Sequence, residues 1–359
     1  MTTTISIHSG SALDLNRIAD LSVDLVVTSP PYPMIEMWDG VFSEQDARIA
    51  VYLSADRGRD AFESMHTLLE NAWIEIKRVL KPGGIACINI GDAVRTIDGD
   101  FRLYSNHSRI LGAFLGLGFD ALPDILWRKQ TNAPNKFMGS GMLPVGAYVT
   151  YEHEYILILR KGRRRVFASA LDKEIRSQSA FFWEERNVWF SDLWSDVKGA
   201  VQSVVEKTLR RRSGAFPFEL AHRLICMFSI KGDVVLDPFA GTGTTLFAAL
   251  TSGRNAVGYE RDKAFIPVVC RSVRDMPFFA NQYNRCRLAR HIEFVREQAA
   301  ESKPLKYTNS FHGFPVKTSQ EQRLLISEVI SIDETTEGLF TVSYRDEPLG
   351  TTQADMRDE

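Results

Sequence analysis

Cysteine is scarce in this 359-residue chain, and what there is forms no pattern. Cys87, Cys226, Cys270 and Cys286 include no C-x-x-C pair, which argues against a zinc site and for reduced thiols in a cytoplasmic protein. The seven histidines are scattered without metal-ligand spacing, so no metal is expected, and His153, set in an apolar strand, reads as structural. No apolar stretch approaches the ~20 residues of a membrane span, and no basic-then-apolar leader is present. Internal repeats and low-complexity tracts are missing too. Net charge is only −2, too little of either sign to name a partner by itself. What is there suits a globular protein with a substantial core: 44% hydrophobic and 25% charged residues. The length fits one large α/β domain with an insert, or two domains.

Two segments carry chemistry. The first is Thr28-Ser29-Pro30-Pro31-Tyr32, which follows the apolar run Val23 to Val27. The run reads as a buried strand, and the two prolines stop it. The turn then offers the Ser29 hydroxyl, free main-chain carbonyls such as that of Pro30, and the Tyr32 ring. That set suits a planar base bearing an amino group; it also suits a cis-proline turn with a core tyrosine. The second segment is Val234-Val235-Leu236-Asp237, a buried-strand pattern, followed by Pro238-Phe239-Ala240-Gly241-Thr242-Gly243-Thr244-Thr245 and the helix-favouring run Leu246 to Leu250. Strand, glycine turn and helix start make the first unit of a nucleotide-binding βαβ fold. A second strand, Asn255 to Tyr259, ends at Glu260, placed about 20 residues after the turn, where an acid can take both ribose hydroxyls of an adenosine. A third glycine would fall at Leu246, so the dinucleotide fingerprint fails; the lysine of a P-loop is missing as well. NAD, FAD and ATP are thereby disfavoured, and S-adenosylmethionine, an adenosine without a pyrophosphate, fits. A purely structural glycine turn is the alternative.

Together these segments resemble an amino-group DNA methyltransferase of the permuted beta class. In that family [DNS]-P-P-[YF] comes first and F-x-G-x-G comes near the end. Ser29-Pro30-Pro31-Tyr32 and Phe239-Ala240-Gly241-Thr242-Gly243 match in that order. Between them, Arg78 to Gly84, Asp124 to Lys129 and His153 to Leu157 resemble the family's helix-to-strand turn and later strands. Phe216-Pro217-Phe218 resembles the helix start that contacts the methionine part of the cofactor. The resemblance covers roughly residues 5 to 275. It implies a Rossmann-like, mostly parallel twisted sheet with helices on both faces. It implies catalytic roles for Ser29, Pro30, Pro31 and Tyr32. It also implies S-adenosylmethionine contacts at Thr28, Phe216, Pro217, Asp237, Phe239, Gly241, Gly243, Thr244 and Glu260. Double-stranded DNA is the implied partner, with a cognate restriction endonuclease and a second subunit as further candidates. Serine in the first position goes mainly with N4-cytosine methylation in this family, and Asp or Asn with N6-adenine. An RNA-modifying or small-molecule methyltransferase is the more distant reading.

Charge is unevenly spread. Residues 125 to 215 hold 16 Lys or Arg and 9 Asp or Glu, a local charge of +7. Arg163-Arg164-Arg165 and Arg210-Arg211-Arg212 bracket an aromatic stretch that includes Trp183 and Trp189. Cations beside groups that stack or wedge suit DNA contact; a solvated face is the alternative. The expected organisation is a catalytic half at 1–161, a target-recognition insert at 162–212, an S-adenosylmethionine half at 213–300 and a hairpin-like extension at 301–359. The extension carries −5 and reads as an edge-capping or dimerisation element. Residues 33–58 are expected to form a mobile loop. Arg59 to Leu80 should be a helix, and Ala264 to Ala300 a helix broken near Pro277.

Overall fold

In the computed structural model, residues 1–129, 138–198, 216–301 and 304–350 are described. The strands are β1 Thr2–Ser9, β2 Val23–Thr28, β3 Leu80–Ile90, β4 Ala93–Ile97, β5 Asp100–Tyr104, β6 Phe119–Arg128, β7 Met138–Gly139, β8 Ala147–Tyr148 and β9 His153–Lys161. They continue with β10 Leu193–Trp194, β11 Val234–Asp237, β12 Asn255–Glu260, β13 Tyr307–Thr308, β14 Pro315–Val316, β15 Ser327–Thr336 and β16 Leu339–Pro348. The helices are α1 Asp39–Ser43, α2 Ala47–Ser54, α3 Gly58–Val79, α4 Asn106–Gly116, α5 Ala170–Gln178, α6 Trp183–Trp189, α7 Phe218–Phe228, α8 Thr244–Thr251 and α9 Phe265–Ala300.

Ten strands form one sheet in the order β10-β6-β9-β3-β2-β11-β12-β1-β16-β15. The run β3-β2-β11-β12-β1 is parallel throughout, while β9 and β16 pair antiparallel to their neighbours. Every residue of β2 is buried, as a central parallel strand covered on both faces requires. Alternate β2 side chains point into different cores. Leu25 and Val27 pack with Leu220 and Leu224 of α7, Leu246 of α8 and Val273 of α9. Val26 packs with Met65, Leu69, Trp73 and Ile76 of α3 and with Phe114 of α4. Strand order reverses between β11 and β2, so the carboxyl ends of these two strands flank a topological switch point, where α/β sheets bind ligands.

Several expectations change. Residues 33–58 are not a loop but carry α1 and α2, because Phe42 and Ile49 are buried in the α3 core and Asp46 caps α2 by accepting from Arg48 N. The helix α9 runs unbroken through Pro277, held by buried Val273, Met276, Ala280 and Asn281 on either side of it. All four expected segments contribute strands to the same sheet. Within 162–198, α5 and α6 lie against the rest of the fold rather than standing apart. Arg287 donates to both Glu185 oxygens at 2.7 and 2.8 Å, and Trp183 N donates to Glu321 Oε1 at 2.9 Å. The hairpin expected beyond residue 301 is β15–β16, and β16 pairs with β1.

Candidate active site

The two chemistry-bearing segments meet at the carboxyl ends of β2 and β11. Thr28 ends β2 and Asp237 ends β11, and Thr28 Oγ1 donates to Asp237 Oδ1 at 2.6 Å across the switch point. The other Asp237 oxygen accepts from Thr245 Oγ1 at 2.6 Å, at the start of α8, and Phe239 N donates to Oδ1 at 3.1 Å. Thr245 Oγ1 also lies 3.2 Å from the Val27 carbonyl. One buried carboxylate thus ties the double-proline turn to the glycine turn. Burial pushes the Asp237 pKa up to about 6, against the lowering effect of those three hydrogen bonds.

The glycine turn wraps around Glu260. Gly241 N donates to Glu260 Oε2 at 2.8 Å and Asp262 N to Oε1 at 2.7 Å, so the acid at the end of β12 braces the loop. Burial holds Glu260 above the usual carboxylate range. Gly243 sits at φ +87°, and a Cβ there would stand 2.9 Å from Val269 Cγ1, so this position needs glycine. Thr244 begins α8, Phe239 packs edge-on to Trp73 at 6.3 Å, and Pro217 caps α7 with Phe216 buried beside it. Among the described residues, neither Asp237 nor Glu260 has an ion-pair partner, and the buried Thr242 hydroxyl has no hydrogen-bond partner. Two carboxylates sequestered without a cation suit a ligand that brings positive charge.

On the other side, the turn after β2 is braced from below. The peptide bonds entering Pro30 and Pro31 are trans, so the cis-proline alternative falls away. Asn106 of α4 donates to the carbonyls of Pro33 and Gly91, each at 3.0 Å, and its own oxygen lies 3.0 Å from His66 Nε2. Met34 takes the left-handed conformation at φ +66° as the chain leaves the turn. The Tyr32 ring is half-buried, and its hydroxyl joins a network that sequence reasoning missed. Ser29 Oγ donates to the Tyr32 hydroxyl at 3.0 Å, Asn89 Nδ2 donates to it at 2.8 Å, and the hydroxyl donates to Glu154 Oε2 at 2.9 Å. Asn89 Nδ2 also reaches Glu154 Oε2 at 2.8 Å, and Lys129 Nζ donates to Glu154 Oε1 at 2.9 Å. Burial, then the neighbouring Glu154 charge, holds the Tyr32 hydroxyl pKa well above that of an ordinary phenol. Gly91 admits this arrangement, because a Cβ there would meet the Tyr32 ring at 3.1 Å and Glu154 Cγ at 3.3 Å.

The residues expected to touch DNA scatter. Arg165 Nη1 pairs with Asp233 at 2.7 Å and with Asp24 at 3.5 Å, at the amino ends of β11 and β2, the edge of the sheet opposite the cleft. Arg163 and Arg164 adjoin it there, which favours the solvated-face reading for that cluster. Trp189 is buried, its ring 5.6 Å from the Arg287 guanidinium carbon, and its carbonyl accepts from Trp194 Nε1; it is a core residue. Trp183 stacks on Phe294 at 5.8 Å. Arg210, Arg211 and Arg212 lie outside the described residues.

The two turns thus meet at adjacent strand ends, joined by the Thr28–Asp237 hydrogen bond. A family model described as DNA methylase, N6_N4_Mtase, matches residues 23–270. The chain belongs to this DNA methylase family. It is 49% identical over 323 residues to the type II methyltransferase M.MthZI of Methanothermobacter thermautotrophicus, covering 90% of each chain. It is 48% identical over 280 residues to the type II methyltransferase M.MjaI of Methanocaldococcus jannaschii, covering 75% of this chain and 91% of that one. Among solved structures, the Thermus thermophilus protein TTHA0409, crystallised with S-adenosyl-L-methionine, is 34% identical with a TM-score of 0.57 over 76% of this chain and 95% of that one. The matched region of this methylase holds both strand ends of the cleft, the Asn89–Glu154 network and the Glu260 brace.

Proposed function

We propose that this methylase transfers a methyl group from S-adenosylmethionine to the exocyclic N4 amine of a cytosine flipped out of duplex DNA. The observation that carries the reading is the Thr28–Asp237 hydrogen bond, which sets an amine-binding turn against an adenosine-binding turn. The family match and the cofactor in TTHA0409 support the donor. When bound, S-adenosylmethionine supplies a methyl group on a positive sulfonium. Glu260 would take its ribose hydroxyls, Gly241 and Gly243 would let it approach the backbone, and Asp237, Thr28, Phe239, Thr244, Phe216 and Pro217 would hold the rest of it.

The exocyclic amine is a poor nucleophile, because its lone pair is delocalised into the ring. Hydrogen bonds from its N–H groups to Ser29 Oγ and the Pro30 carbonyl favour a localised lone pair, and the same oxygens stabilise positive charge as it builds on nitrogen. Holding the reacting atoms in line at about 3–3.5 Å is the rest of the task. A stacked base cannot reach the cleft, so the nucleotide is extruded at a cost of a few kcal/mol. Ser29 at the head of the motif supports cytosine over adenine. Arg210, Arg211 and Arg212 keep their assignment to DNA phosphates.

Duplex DNA, with RNA offered in parallel, is labelled with methyl-tritiated S-adenosylmethionine and digested to nucleosides as a direct test. Label in N4-methyldeoxycytidine is expected. Label in N6-methyldeoxyadenosine overturns the base assignment, and label in RNA alone overturns the DNA assignment.

A further inference from the structure

Resting on the assignment of the cleft to DNA amine methylation, we infer that Ser29, Tyr32 and Glu154 form a proton relay that carries away the proton lost by the methylated amine. The hydrogen bonds run in one direction only. A phenol oxygen has two lone pairs and one proton. The two acceptor sites of Tyr32 are filled by Ser29 Oγ at 3.0 Å and Asn89 Nδ2 at 2.8 Å. Its single proton therefore goes to Glu154 Oε2 at 2.9 Å. Asn89 spends its amide donors on Tyr32 and Glu154, which locks both in place. Lys129 occupies the other carboxylate oxygen, leaving Oε2 as the terminus. The chain thus points from the hydroxyl that faces the amine to a carboxylate, the polarity a departing proton requires.

The step balances within these groups. Methyl transfer leaves the amine nitrogen with one proton and one positive charge in excess. An N–H bond breaks, its electron pair stays on nitrogen, and the proton bonds to Ser29 Oγ. The Ser29 proton passes to the Tyr32 oxygen and the Tyr32 proton to Glu154 Oε2. Ser29 and Tyr32 end neutral and Glu154 ends protonated. The raised pKa of Tyr32 is consistent with this, since the phenol conducts a proton without resting as phenolate. Lys129, with a half-exposed side chain, marks the solvent side where Glu154 returns its proton to water. Rotation of two hydroxyls restores the starting polarity. Glu154 acts on the amine only through Tyr32 and Ser29.

The test uses the full-length protein with duplex DNA and S-adenosylmethionine in single turnover, with proton release followed by an indicator dye in weak buffer. Glu154→Gln and Tyr32→Phe keep the shapes and the stacking ring. Each is expected to lower the methyl-transfer rate about 100-fold, within the range for a lost general base. Dissociation constants for S-adenosylmethionine and for DNA should stay within about threefold of wild type. The double variant should be no slower than either single one, because both interrupt one chain. With S-adenosylmethionine saturating at every pH, so that the effect of Asp237 on cofactor affinity does not enter, the wild-type rate should fall on the acid side of its pH profile, and that limb should be absent from both variants. A merely structural role would leave the limb in place, and an unaltered limb overturns the relay, as do single-variant rates within about twofold of wild type or multiplicative losses in the double variant. A wild-type protein that methylates no DNA overturns the underlying assignment, and the relay with it.

Discussion

Asp237 carries the sharpest prediction about the cleft, because one buried carboxylate both joins the two turns and titrates near neutrality. Its pKa is raised from 3.8 to about 6, chiefly by burial. At ~1.4 kcal/mol per pH unit, ionising it in the folded protein costs roughly 3 kcal/mol more than in the unfolded chain. A raised folded value means that the native state holds the proton longer. This contribution to stability is complete below about pH 4 and is lost as pH rises through about 6. Asp237→Asn copies the protonated carboxyl, with one acceptor for Thr28 and Phe239 N and one donor toward Thr245. Thr245 can accept that donor, because the Val27 carbonyl lies 3.2 Å away to take its own proton. Urea unfolding should therefore find variant and wild type nearly equal near pH 4, and the variant more stable by about 3 kcal/mol near pH 8. Taking the difference between the two proteins removes every other titrating group. A difference that stays flat from pH 4 to 8, or changes in the opposite sense, refutes the argument. Cofactor binding supplies a second arm. A cationic ligand favours the ionised acid, so wild-type affinity for S-adenosylmethionine should weaken below about pH 6, while the variant should bind more weakly near pH 8 and lose that dependence.

Other expectations are more local. Glu260→Ala should raise the S-adenosylmethionine dissociation constant at least about tenfold by calorimetry, since it removes the proposed ribose acceptor and the Gly241 brace together; an unaltered constant removes Glu260 from the cofactor site. Arg165→Ala should cost about 1–3 kcal/mol of stability, because it strips a partially exposed partner from two buried carboxylates, while the salt dependence of DNA binding stays as in wild type. A flatter salt slope would restore the cluster to the DNA interface. Trp189→Ala should cost about 3–5 kcal/mol in urea unfolding, as a core ring does; a loss of DNA affinity without loss of stability would contradict its burial.

How much of this was legible in the sequence depended on how local the signal was. The strand-turn patterns at Val23 to Tyr32 and Val234 to Leu250 identify themselves, since prolines, glycines and β-branched runs act within a few residues. The network around Tyr32 does not. Asn89 lies in an apolar strand, Glu154 follows a histidine that looks structural, and Lys129 comes just after a third strand. Only the pairing of β3, β9 and β6 brings them together. A buried-strand asparagine and glutamate, both costly without partners, were the available clue. Arg165 and Trp189 misled for the opposite reason. A basic run and an aromatic cluster look the same in sequence whether they face phosphate or fill an interior. The helices between residues 39 and 54 were obscured by short, weakly periodic segments whose burial depends on α3.

The antiparallel seam between β16 and β1 has a consequence for how the molecule is made. Strand β1 acquires its second neighbour only from residues synthesised more than 300 positions later. Until then its outer row of amides and carbonyls is available to any extended chain nearby, and messages truncated ahead of residue 327 would leave it permanently so. Nascent-chain aggregation should thus depend on whether the closing hairpin has been translated. In the finished protein that row is already taken, so two subunits cannot join by laying one first strand beside the other.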